Sequence, residues 1–164
     1  MGVSGCGKST IGRLLADRLL CDFIDADDLH PDANKKKMHA AIPLTDADRE
    51  PWLHLVGHAI ATEIDAGRGV VVACSALKRS YRDILRASAP GIEFLLLHGS
   101  RELLARRLEG RAGHFMSPAL LDSQLATLEA LQPDEHGIVI DIADNPIAMV
   151  DDAIAALSTV DSEG

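Results

Sequence analysis

Four short apolar runs, at residues 21–24, 70–74, 92–97 and 138–140, punctuate the chain. Between them apolar residues recur every three or four positions over 11–20, 46–66, 80–87, 101–109, 118–131 and 146–157. Continuous Val, Ile and Leu bounded by Gly or Asp mark strands covered on both faces, and such strands belong to parallel sheets with helical crossovers. The alternation predicts an α/β fold, a three-layer sandwich around a parallel sheet. No repeat, low-complexity tract or Pro/Gly linker interrupts it, so 1–157 reads as a single domain and 158–164 as a frayed C-terminal tail.

Chemistry enters at residues 2–9, Gly2-Val3-Ser4-Gly5-Cys6-Gly7-Lys8-Ser9, which fit G-x-x-x-x-G-K-[ST] at every defined position, with Thr10 following. Glycines let backbone N–H groups turn inward around phosphate oxygens, and the helix that starts near Lys8 adds its positive end. Lys8 then reaches the β/γ-phosphates and Ser9 ligates Mg²⁺. The motif also calls for a buried strand ahead of Gly2, where only Met1 stands. The expectation is a natural chain that begins several residues upstream with a Val/Ile/Leu-rich strand, the 164-residue form being poorly folded, with a mobile phosphate loop.

Asp25 and Asp27 stand two residues apart just past the apolar run at 21–24. Open α/β sheets bind ligands at the C-terminal ends of their strands, so both carboxylates should face the mouth that holds the phosphate loop. The competing reading is a polar turn in which Asp28 caps the next helix.

Composition narrows the partners. The chain has 164 residues, 47% hydrophobic and 25% charged, with a net charge of −9, which suits one domain with its own core. Every Lys and Arg lies at or before Arg111, and residues 112–164 carry ten acidic side chains. An acidic total argues against nucleic acid, which demands a net basic face, while a small anion can still enter a locally positive cleft. No apolar run approaches the ~20 residues of a membrane span. Lys8, Arg13, Asp17 and Arg18 interrupt any secretory pattern, and the expected location is the cytoplasm. Three cysteines, Cys6, Cys21 and Cys74, match no metal or redox spacing and read as reduced thiols, Cys74 as a small buried side chain.

Several segments together are similar to the gluconokinases, small P-loop carbohydrate kinases related to shikimate kinase. They are residues 1–9, Asp25-Ala26-Asp27-Asp28-Leu29-His30-Pro31 followed by Asn34, Lys37 and Met38, Pro43 through Leu53, Cys74-Ser75-Ala76-Leu77-Lys78 with 81–86, Arg107-Leu108, Arg111, and Gly113-His114-Phe115-Met116. Further matches at 123–129 and 133–135 extend the resemblance over residues 1–141. It implies a P-loop NTPase fold of the shikimate and nucleoside monophosphate kinase type, and transfer of phosphate from ATP to the 6-hydroxyl of D-gluconate, with a homodimer as the assembly. By similarity to the shikimate kinases, Asp25 would hold Mg²⁺ through water and Asp27 would orient or deprotonate the attacking hydroxyl. The gluconate carboxylate and hydroxyls call for fixed cations and hydrogen-bonding groups, supplied by His30, Arg49, Ser75, Lys78 and Arg82. A lid around 110–117 would close over ATP, with Arg107 and Arg111 on its phosphates and Arg111 at the transferring group.

Each assignment has a plainer counterpart. Lys78 and Arg82 also fit a solvated helix face paired with Asp83 or Glu93, His30 a turn stabiliser, and Arg107 to Phe115 an ordinary basic loop. Trp52 reads as helix packing, and His39, His54 and His58 as structural. Two other functions stay open: a different small-acceptor kinase of this fold, and an inactive nucleotide-binding relative. Where shikimate kinases carry Gly-Gly-Gly after the third strand, this chain has Cys74-Ser75-Ala76, and no Asn-Lys-x-Asp base-reading motif occurs.

Overall fold

The computed structural model describes residues 1–40, 42–110 and 118–160. In chain order the elements are α1 (Lys8–Leu19), β1 (Asp22–Asp25), a 3₁₀ turn (Ala26–Leu29), α2 (Asp32–His39), α3 (Asp46–Asp65) and β2 (Val70–Ala73). There follow α4 (Arg79–Ser88), β3 (Phe94–His98), α5 (Arg101–Glu109), α6 (Pro118–Thr127), β4 (Gly137–Asp141) and α7 (Pro146–Val160). The expected α/β sandwich is present. Leu15, Leu104, Leu121 and Met149 pack one layer of helices against the strands, and Trp52, Leu53, Val56 and Leu85 of α3 and α4 pack the other.

Local chemistry sets the boundaries. Thr45 and Asp48 form a capping box at the start of α3: the Thr45 hydroxyl accepts from Asp48 N at 3.2 Å, and Asp48 Oδ2 accepts from Thr45 N at 2.9 Å. Ser100 caps α5 one way only, its hydroxyl accepting from Leu103 N at 3.2 Å. The α2 helix is absent from the expected pattern because its residues, Asp-Ala-Asn-Lys-Lys-Lys-Met-His, carry no apolar stripe to read. Asp28 does not cap it: Pro31 stands at that position, and Asp28 lies inside the 3₁₀ turn. The α6 helix stops at Thr127 rather than 131, and α7 continues to Val160, three residues past the expected end.

The strands form two parallel pairs, β1 with β2 (Asp22 opposite Val70) and β3 with β4 (Phe94 opposite Gly137). Met1 and Gly2 stand between the pairs. Gly2 N donates to Ser75 O just beyond β2 at 3.1 Å, Leu97 N of β3 donates to Met1 O at 2.9 Å, and the Met1 ammonium donates to Leu95 O. Burial pulls that ammonium down to about 6. Behind Met1 lies a mainly apolar cavity of about 320 Å³ whose walls include Ile11, Leu15, Val71, Val72, Leu95 and Ile138. Runs expected to be covered on both faces are therefore partly open: Val70, Val71 and Val72 are only half-buried. Val139, on β4, is 56% exposed.

Candidate active site

The phosphate loop joins Met1 to α1. Gly5 (φ 83°) and Gly7 (φ 100°) adopt left-handed backbone, and a Cβ on Gly5 would stand 2.8 Å from Leu108 Cγ, so these positions exclude side chains. No side chain caps α1 and no acid sits in its first turn, which leaves the amides and the positive helix end available to an anion. Lys8 Nζ donates to Val3 O across the loop at 3.0 Å, folding the cation over the space that the amides line. Gln124 Oε1, on α6, accepts from Ser4 N at 2.7 Å.

The carboxylate segment closes on that loop. Ser9 Oγ donates to Asp25 Oδ2 at 2.8 Å across 16 residues of sequence, and Asp25 Oδ1 accepts from Asp27 N at 3.2 Å. Asp25 thus terminates β1 and caps the 3₁₀ turn that presents Asp27. The Asp27 carboxyl is raised above its ordinary range, chiefly because surrounding protein displaces water and then because Asp25 is charged, with Lys8 opposing both. Ser9 and Asp25 offer hard oxygen donors, the type Mg²⁺ takes. Among the described residues no three His, Cys, Asp or Glu side chains cluster as a metal site.

Opposite stands a second polar group. Lys78 Nζ donates to Asp46 Oδ2 at 2.7 Å, Tyr81 OH donates to Asp46 Oδ1, and Arg49 Nη1 donates to Tyr81 OH at 3.4 Å. The Lys78 and Tyr81 bonds hold the Asp46 carboxyl below its usual range. Asp46 thereby lends one carboxylate to a cluster with two cations. Ser75 lies in the loop after β2, its carbonyl accepting from Gly2 N. His30 is buried and stacks on Trp52 with ring centroids 4.1 Å apart, while Trp52 Nε1 donates to Ala26 O at 2.7 Å. Trp52 is therefore packing. Cys74 is buried and its thiol is pushed up to about 11, so it too packs.

Arg82 departs from expectation. Its side chain has no exposed surface, and its guanidinium donates to both Glu135 oxygens (2.6 and 2.8 Å) and to the carbonyls of Ala76, Leu77, Glu129 and Ala130 (3.2–3.3 Å). With its donors consumed it has none left for gluconate, and its partner is Glu135 rather than Asp83 or Glu93. It clamps the 74–78 loop, where Ala76 takes a left-handed φ of 42°, to the segment after α6. Replacing Arg82 with alanine leaves Glu135 buried and unpaired, an expected loss of about 3–5 kcal/mol and roughly 10 °C in Tm by thermal denaturation. The Arg82 bonds hold the Glu135 carboxyl below its usual value, so this stabilisation is full above about pH 4.3 and drains as pH falls below it.

Arg107 belongs to α5 and donates to the Cys6 and Ile142 carbonyls, bracing the phosphate loop from outside. Arg111 and the rest of the expected lid, 111–117, lie outside the described residues, as do residues 161–164. Sequence reasoning missed Gln124, Asp46, Tyr81 and Glu135. A signal existed for the burial of Arg82, which falls beside Tyr81 and Leu85 on the apolar face of α4.

A glycine-built anion loop at a helix start, joined to a Ser–Asp oxygen pair at the end of a parallel strand, defines a P-loop phosphotransferase. The chain matches the shikimate kinase family over residues 4–153. It is 48% identical over 154 residues to a gluconokinase of Gluconobacter oxydans, covering 94% of this chain and 86% of that one. It is 49% identical over 143 residues to the thermosensitive gluconokinase of Escherichia coli, covering 87% and 76%. A gluconokinase structure from Sinorhizobium meliloti superposes with a TM-score of 0.89 at 47% identity, covering 98% of this chain and 90% of that one. The chain belongs to the gluconokinases, within the shikimate kinase-like P-loop family.

Proposed function

We propose that the protein transfers the γ-phosphoryl group of ATP to the 6-hydroxyl of D-gluconate, with Mg²⁺ held at Ser9 and Asp25. The observation that carries this reading is the 2.8 Å bond from Ser9 to Asp25, which brings the phosphate loop and the acceptor carboxylates to one mouth. Loop amides and the α1 N-terminus cradle the triphosphate, apart from the Ser4 amide, which donates to Gln124. Lys8 exchanges the Val3 carbonyl for phosphate oxygens, where charge gathers during transfer. Mg²⁺ at Ser9 and Asp25 would supply neutralisation of the charge on the triphosphate. Asp27, held by its short turn, accepts the hydrogen bond and then the proton of the attacking hydroxyl; its raised basicity suits a proton acceptor. Lys78 and Arg49 receive the gluconate carboxylate in place of Asp46, with Ser75 alongside for hydroxyls. Arg111, in the segment outside the described residues, is the proposed lid arginine, and Arg107 supports the loop.

ADP release measured with ATP and Mg²⁺ against gluconate, shikimate and nucleoside monophosphates tests the acceptor. Turnover with gluconate alone is expected, and faster turnover with either of the others overturns the reading. Asp27→Asn is expected to lower kcat about 10²–10⁴-fold while nucleotide affinity holds, since the change touches the hydroxyl and not ATP. Asp25→Asn is expected instead to raise the Mg²⁺ concentration at half-maximal rate. An Asp27→Asn enzyme with normal kcat and weakened ATP binding reverses the two roles.

A further inference from the structure

Asn34 is 3% exposed, and its side-chain nitrogen lies 2.8 Å from the Asp48 carbonyl oxygen. A carbonyl only accepts, so the atom facing it is the amide nitrogen and the orientation of this side chain is settled by chemistry. The same nitrogen lies 3.3 Å from His30 Nδ1. Its second hydrogen faces that ring atom, which must therefore accept, and the imidazole proton resides on Nε2. The stack on Trp52, with 16° between the planes, holds the ring at one angle. At that angle Nε2 stands 3.9 Å from Asp27 Oδ1. The gap is too long for a hydrogen bond, and a shift of about 1 Å as the cleft fills makes one.

We propose that Asn34 fixes His30 as its Nε2–H tautomer and aims that N–H at Asp27, making His30 and Asn34 positioning residues for the carboxylate that receives the acceptor hydroxyl. The inference rests on the reading of Asp27 given above. It replaces the expected role of His30 as a substrate ligand, since the ring is buried and its Nε2 faces Asp27. The charge state agrees. Burial, then Arg49 and Lys35, lower His30 to about 4, so the donor is neutral near pH 7. A neutral N–H orients a carboxylate while leaving its charge available to take a proton, whereas an imidazolium would suppress that basicity.

The tautomer is read directly from the nitrogen resonances of His30 in ¹⁵N-labelled protein between pH 6 and 8. Protonated Nε2 with unprotonated Nδ1 is expected, and the reverse pattern or a cationic ring overturns the proposal. Asn34→Asp turns the donor beside Nδ1 into an acceptor; the proton should move to Nδ1 and kcat fall about 10-fold or more, with the KM for ATP unchanged. Because that variant also strains the Asp48 contact, two others carry the test independently. His30→Phe keeps a ring on Trp52 without an N–H, and His30→Gln keeps an amide N–H near the Nε2 position. The expected order of kcat is wild type, then Gln, then Phe, with Phe lower than wild type by about 10–100-fold. A packing role alone predicts that Phe outperforms Gln, and that order overturns the proposal. Asp27→Asn in the same assay separates the two levels. If it is inactive while His30→Phe is fully active, only the positioning role fails; if it is active, the reading of Asp27 fails and this inference with it.

Discussion

Lys8→Ala is expected to lower turnover by about 10³–10⁵-fold, a barrier increase of ~4–7 kcal/mol, in the ADP-release assay. Lys8 begins α1 directly behind the loop, and its ammonium already spans it to the Val3 carbonyl. Among the described residues it is the cation that the loop geometry folds over the anion space, so its loss leaves phosphate charge to amides and metal alone. Removing one preorganised donor to a charged transition state costs about 10²–10³ in other enzymes, and a full charge costs more. Melting temperature should stay within a few degrees, because the bond it forfeits is one part-buried contact. Retention of a tenth of the wild-type kcat would remove the loop from the mechanism. Lys8→Arg should not restore full activity, since a planar fork does not reproduce a compact ammonium in a tight loop.

A strand of five or six Val, Ile and Leu residues joined ahead of Met1 is expected to raise stability by roughly 5 kcal/mol. The gap between β2 and β3 is one strand wide, since Met1 and Gly2 bond to both sides of it at once. Five apolar side chains entering the cavity gain about 1.5–3 kcal/mol each, offset by about 1–2 kcal/mol of backbone entropy per residue. Backbone bonds to both neighbouring strands add about 0.5–1.5 kcal/mol apiece. The extension also converts the buried amine of Met1, whose protonation burial already disfavours, to an amide. Thermal denaturation should show Tm rising by roughly 10–20 °C for a chain of this size. An extension of equal length carrying Asp and Lys at alternate positions is the control. Equal Tm values for the two extended proteins would mean that the cavity does not receive a strand.

The local code was readable wherever a residue's role depends on its immediate neighbours. Gly5, Gly7, Lys8 and Ser9 announce an anion loop because backbone freedom and spacing alone build it. The strands were legible as apolar runs, the long helices as apolar stripes, and the family as a set of short motifs. Asp25 and Asp27 could be placed at the mouth because a strand end fixes where they point. The polar α2 helix escaped, since tertiary support rather than an apolar face holds it.

What stayed hidden was pairing between distant residues. Arg82 and Glu135 are 53 positions apart, and no spacing rule reveals that a buried clamp consumes the one and neutralises the other. Lys78 and Asp46, 32 positions apart, meet only because α3 and α4 pack together. The half-burial of Val70, Val71 and Val72 is a property of the assembled sheet and not of the run. Local geometry acts through covalent neighbours, so a sequence carries it openly; partners, burial and side-chain charge depend on which surfaces the fold brings within a few ångströms, and that is settled only when the layers close.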